Sequence, residues 1–100
     1  MSLVTKEPTK DLGPLKYGQV YNFDIDIVNN LGKDMKIDKV KVSCSSCTTA
    51  RTERVIKGNS TGKLKVTFTP GTVGQTNKWV DIHYDNDQVL RVTFKGIVHE

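Results

Sequence analysis

The sequence predicts an all-β fold in which two antiparallel sheets pack face to face. Three observations carry that expectation. The stretch Val20 to Asn30 alternates Tyr21, Phe23, Ile25 and Ile27 with Asn22, Asp24 and Asp26. A period of two puts one apolar and one wet face on an extended strand. Three later segments repeat the pattern at similar length, separated by Gly, Pro, Asn and Asp turns. No segment carries a helical period, so the apolar face of one sheet has only another sheet to cover it.

Size and composition agree. One hundred residues make one domain. Charged residues are 26% and hydrophobic residues 36%, which fits a globular protein and excludes a disordered one. Apolar runs reach two or three residues, too short for a membrane-spanning helix. The net charge of +4 is spread over both halves and lacks the clustering a nucleic-acid footprint needs. Met1 to Pro8 shows no secretory leader, so cytoplasmic synthesis is expected unless a leader has been removed. Asn59-Ser60-Thr61 is formally a glycosylation sequon, but three polar turn residues explain it as well.

In chain order, residues 1–10 mix charges, Thr and Pro8 and predict a flexible N-terminal arm, or a segment laid on the sandwich. Asp11 to Leu15 predicts a short edge strand, because Pro14 cannot sit inside a ladder. The organising strand follows, and Asn29-Asn30-Leu31-Gly32 turns it. From Met35 to Ser43 the apolar parity changes at Asp38-Lys39, which predicts a bulge or bend there. Cys44 to Ala50 reads as a polar loop, and Arg51 to Lys57 as a weak strand. Leu64, Val66 and Phe68 define the next strand; Pro70 to Gly74 is a loop. Val80, Ile82 and Tyr84 define another, with Trp79, Asp81 and His83 opposite. Asp85-Asn86-Asp87 predicts a hairpin into Leu90, Val92, Phe94 and Val98, with Gly96 marking a bulge or close backbone contact. The sum is an immunoglobulin-like β-sandwich of about seven short antiparallel strands over residues 11–100.

The run Phe23 to Gly32, followed by Met35 to Thr48, resembles the DUF1573 family, within the wider group of immunoglobulin-like ASH and MSP-type domains. The matching features are the Asn30-Leu31-Gly32 turn, the Ser43-Cys44 and Cys47-Thr48 loop, the Pro70-Gly71 turn and the closing strand Val92 to Gly96. They cover about residues 11 to 98. The family usually has one residue between its cysteines, whereas this chain has Ser45-Ser46. The resemblance implies a non-enzymatic sandwich, often part of a larger assembly. It brings no catalytic residues and no cofactor, and the free-standing members it suggests are bacteriophage proteins.

Among residues that could carry chemistry, Cys44 and Cys47 come first. A redox Cys-x-x-Cys pair needs a helix N-terminus to lower a thiol pKa, and no helical pattern follows Cys47. Structural zinc needs four ligands, which two cysteines and two distant histidines do not supply within one chain, although loops meeting across a symmetry axis could. The pair is therefore read as a disulfide staple if oxidised, or as small semi-buried side chains if reduced. His83 and His99 lack a nucleophile or carboxylate at an interpretable spacing, and Asp24, Asp26 and Asp81 read as a solvated strand face. The Asp85-Asn86-Asp87 turn lacks the spacing of a calcium loop. Lys39, Lys41, Lys63 and Lys65 could attract phosphates, but Phe23, Phe68 and Phe94 fall on the buried parity and cannot stack bases.

The functional expectation is a non-enzymatic structural or interaction module without catalytic residues, metal, cofactor or small-molecule substrate. Its partners would be protein subunits, in a homo-oligomer or a larger assembly, and the concrete setting is a virion: capsid decoration or a tail. A nucleic-acid-binding sandwich and a cysteine-paired metal or redox module are the alternatives. The candidate contacts are Tyr17, Trp79, Thr48, Thr72 and Gln75, with the loops 44–49 and 71–77 and a free sheet edge. Trp79 would be exposed beside Tyr17 or packed under the N-terminal arm.

Overall fold

Alternation becomes strand. The computed structural model describes residues 3–100, and among them eight strands and no helix occur. They are β1 (Thr9–Lys16), β2 (Tyr21–Asn29), β3 (Met35–Val42), β4 (Thr48–Thr52), β5 (Val55–Ile56), β6 (Ser60–Phe68), β7 (Gly74–Tyr84) and β8 (Gln88–His99). A five-stranded sheet runs β1-β8-β7-β3-β5, and a three-stranded sheet runs β2-β6-β4. This is an all-β, immunoglobulin-like sandwich with one strand more than expected.

The apolar parities meet between the sheets. Ile25 and Ile27 of β2 and Leu64, Val66 and Phe68 of β6 face Val80, Ile82 and Tyr84 of β7 and Val92 and Phe94 of β8. Each such side chain contributes roughly 1.5–3 kcal/mol by leaving water. The Phe94 ring meets Phe23 and Phe68 edge to face, with centroids 5.3 and 5.0 Å apart. That arrangement suits the aromatic quadrupole.

Local irregularities fall where the pattern breaks. β3 shifts register against β7 between Ile37 and Lys39, at the parity change. The β7–β8 hairpin turns through Asp85 and Asn86, both at positive φ (50° and 69°). Asx residues tolerate that region, and Asp38 Oδ2 accepts the Asn86 amide at 2.8 Å. At the end of β2, fully buried Asn29 ties three segments together. Its Nδ2 donates to Lys33 O, Ile56 O and Lys57 O at 2.9, 2.9 and 3.2 Å, and its Oδ1 accepts from the Leu31 amide at 3.0 Å.

Several expectations are corrected. β1 spans eight residues and pairs parallel with β8, where an all-antiparallel set was expected. Its register breaks between Asp11 and Pro14, which keeps the proline at an edge position. Gly96 permits the close approach: a Cβ there would lie 2.8 Å from Gly13 O and 2.8 Å from Leu15 Cδ1. Of the two settings expected for the N-terminal segment, residues 3–10 take the second and lie on the sandwich. Leu3 is buried with its amide on the Tyr84 hydroxyl at 3.2 Å, and Val4 bridges Val28 by a pair of backbone bonds. Residues 1 and 2 of the expected arm lie outside the described residues. The cysteine loop is shorter than expected, since β4 starts at Thr48, and the weak strand over 51–57 divides into the end of β4 and β5. The loop expected to reach Asn77 ends at Val73, because β7 starts at Gly74.

Candidate interaction site at the cysteine-loop end

The Cα trace is elongated, 47 × 21 × 17 Å, so its two ends are distinct surfaces. At one end β2 begins, β6 and β8 finish and β7 starts, as the pairs Tyr21–Phe68 and Gly74–Val98 show. Backbone bonds hold the loops there against each other. The Tyr17 amide donates to His99 O at 2.8 Å, the Gly18 amide to Pro70 O at 3.1 Å and the Thr69 amide to Cys47 O at 2.9 Å. Tyr17, Val20 and Val73 are left 54%, 55% and 54% exposed around these joints. Ile97 of β8, opposite Gln75, is also exposed.

Cys44 and Cys47 form a disulfide across the loop between β3 and β4. The loop is anchored in both sheets: the Ser43 amide donates to Trp79 O, the Trp79 amide to Ser43 Oγ, and the Thr48 amide to Cys44 O. A bridge closing so short a loop stabilises the fold by only about 2 kcal/mol in the chain-entropy account. Beside it lies a hollow of about 220 Å³, lined by Phe68 and Pro70 of one layer and Thr76, Lys78 and Val98 of the other. Lys78 shares the inward parity of Val80 and Ile82 and lines this hollow. It forms no salt bridge among the described residues.

Of the candidate contact residues, Tyr17, Thr72 and Gln75 are exposed at or beside this end. Thr48 is 4% exposed, so it supports the loop from inside. Trp79 stands elsewhere. It pairs with Thr93, six residues before His99, and six residues of strand put it about 20 Å from Tyr17. Trp79 is half-buried, with the Arg91 guanidinium 4.2 Å above its ring. The same guanidinium donates to both carboxylate oxygens of Asp81 at 2.7 and 2.9 Å. Those hydrogen bonds raise the Arg91 pKa above its ordinary value. They also account for Asp81, expected to be solvated, being buried on the outer face of its sheet.

The sequence did not single out Val20 or Lys78 as contacts, and it reached Val73 only as part of the 71–77 loop. Val20 and Val73 lie just outside strands, where alternation gives no facing; the parity of Lys78 with Val80 was the available signal. Some residues of the other candidate chemistries are engaged. Lys63 pairs with Asp26 on the outer face of the small sheet, and its hydrogen bond to that carboxylate raises its pKa. Phe68 and Phe94 are buried, and Phe23 is half-buried against them. Among the described residues no group of three or more His, Cys, Asp or Glu could hold a metal ion.

A family model described as a protein of unknown function (DUF1573) matches residues 3–98. No curated protein sequence matches the chain. Solved structures do. A protein of unknown function from Porphyromonas gingivalis W83 superposes with a TM-score of 0.78 at 17% identity, over 96% of this chain and 45% of that one. The secreted serine protease VesC of Vibrio cholerae gives 0.72 at 13% identity, over 97% and 22%. The ASH/PapD-like domain 7 of human CEP192 gives 0.65 at 14% identity, over 98% and 85%. At these identities the likeness concerns the fold. The chain spans less than half the length of the first two.

Proposed function

The chain belongs to the DUF1573 family, and from that premise we propose that it is a non-enzymatic module that binds other protein subunits through its cysteine-loop end. One observation carries the reading. Tyr17, Val20 and Val73 stand more than half exposed on loops that are hydrogen-bonded to one another, so the apolar surface is presented on a fixed frame. Exposed apolar groups on a rigid, polar-rimmed frame are what a protein interface buries, and preorganised loops reduce the entropy lost on binding. The open edge of β4 adjoins the same loop and offers unpaired backbone groups to the same partner. Capsid decoration or a tail component, the setting expected from the sequence, is the finer form of this proposal. The family and the fold support the module without bearing on a virion.

Site-directed photo-cross-linking tests it. A photoreactive residue at Thr72, in cells that make the chain, is expected to capture a protein subunit, either a second copy or a different chain. The same residue at Val55, exposed on the opposite end, is expected to capture little. Equal capture at the two ends would refute the assignment of the surface.

A further inference from the structure

The disulfide sits in the interaction end but contributes little to holding it together. The Cys44–Cys47 loop is already fixed by the Thr48 amide on Cys44 O at 2.9 Å and the Thr69 amide on Cys47 O at 2.9 Å. Opening the sulfur bridge leaves those bonds and both sheets in place. The two sulfurs also differ. Cys47 packs against the hydrophobic core, whereas Cys44 is flanked by exposed Ser45 and Ser46, with the Ser46 hydroxyl 3.7 Å from its sulfur. The hollow beside them has room for a small molecule, and among the described residues its one charged lining side chain is Lys78, which forms no salt bridge there. A cation at a disulfide favours both the incoming and the departing thiolate.

We propose that the Cys44–Cys47 disulfide is a thiol-exchange site for low-molecular-weight thiols, with Cys44 the sulfur attacked. A thiolate R–S⁻ enters the hollow and attacks Cys44 Sγ. The R–S–Cys44 bond forms as the Cys44–Cys47 bond breaks, and the electron pair leaves on Cys47 Sγ. The Thr48 hydroxyl, 3.5 Å from Cys47 Sγ, donates to the departing thiolate. A second thiolate then attacks the R sulfur, releasing R–S–S–R and a Cys44 thiolate. Two thiols are thus oxidised by two electrons in all, and the protein disulfide is reduced. The adduct stage would place a polar group beside Thr72, which lines the same hollow. This inference rests on the disulfide and its hollow, independently of whether that end binds a protein.

Reduced glutathione is the probe. The native chain is incubated with it at neutral pH, quenched with acid and mapped by mass spectrometry, with far-ultraviolet circular dichroism recorded in parallel. The expected result is a glutathione adduct on Cys44, a free Cys47 and an unchanged β spectrum. Lys78→Met is expected to slow adduct formation roughly threefold or more. With oxidised glutathione, Cys47→Ser is expected to take up the adduct on Cys44 at least roughly tenfold faster than Cys44→Ser takes it up on Cys47. The proposal is overturned if the adduct maps to Cys47, or if the bridge stays closed until urea unfolds the chain. A Cys44→Ala/Cys47→Ala double variant that fails to fold would overturn it equally, because the bridge would then be structural.

Discussion

Asn29→Ala offers the sharpest test of how the far end of the sandwich is held. Asn29 is fully buried where β2 stops, and its amide is shared among the carbonyls of Lys33, Ile56 and Lys57. Its own carbonyl accepts the Leu31 amide. Truncation removes the donors from Ile56 O, which is buried, and from two partly buried carbonyls. A buried polar group left unpaired costs about 1–3 kcal/mol, and the remaining bonds contribute about 1 kcal/mol each. The expected loss is therefore about 3 kcal/mol, a large share of the stability of a chain this size. In a 100-residue domain that lowers the melting temperature by on the order of 15 °C. Urea titration followed by circular dichroism measures it, with an unchanged m-value showing that the denatured state is the same. Asn29→Asp sharpens the test, since it keeps the shape and points an acceptor at three carbonyls. It is expected to be worse than alanine at neutral pH and to recover as acid protonates it. A loss below about 1 kcal/mol for alanine, or an aspartate variant as stable as the parent, would refute the reasoning.

Three further predictions concern packing and charge. Gly96→Ala forces β1 off β8, because its Cβ would meet Gly13 O at 2.8 Å; the cost is about 1–3 kcal/mol, and hydrogen exchange should quicken in β1 while β6 stays protected. Phe94→Ala removes the ring shared by Phe23 and Phe68 and should cost about 3–5 kcal/mol by urea denaturation, with Phe94→Leu milder. The Asp26–Lys63 pair raises the Lys63 pKa above its ordinary 10.5, so its stabilisation is fully present below that pH and is lost as pH rises through the raised value. The difference in urea midpoint between the parent and Lys63→Met should therefore be constant from neutral pH upward and close only above 10.5.

Most of the sandwich was legible in the sequence because one rule, alternation, governs it. The parity change at Asp38-Lys39 even located the register shift of β3. What was not legible depends on contacts between distant segments. The parallel pairing of β1 with β8 needs the bare backbone of Gly96 against Gly13, and no local pattern announces a partner 83 residues away. Leu3 and Val4 look like a short apolar pair in a polar terminus until the Tyr84 hydroxyl meets the Leu3 amide. Asp81 looked solvated and Trp79 was left between two settings, because parity alone cannot show that Arg91, one strand over, pairs with one and stacks on the other. The candidate site was half legible for the same reason. Tyr17, Thr72 and the cysteines were found as loop residues, but their gathering at one end follows from hydrogen bonds between loops far apart in sequence.

Cross-linking yield from Thr72 in the triple variant Tyr17→Ser, Val20→Ser, Val73→Ser, relative to the parent, tests the central claim most directly. These side chains are exposed, so the unfolding free energy from urea titration should stay within about 0.5 kcal/mol of the parent for each change. With the fold kept, the account predicts that most of the cross-linked product disappears. Undiminished yield in a folded triple variant would contradict it.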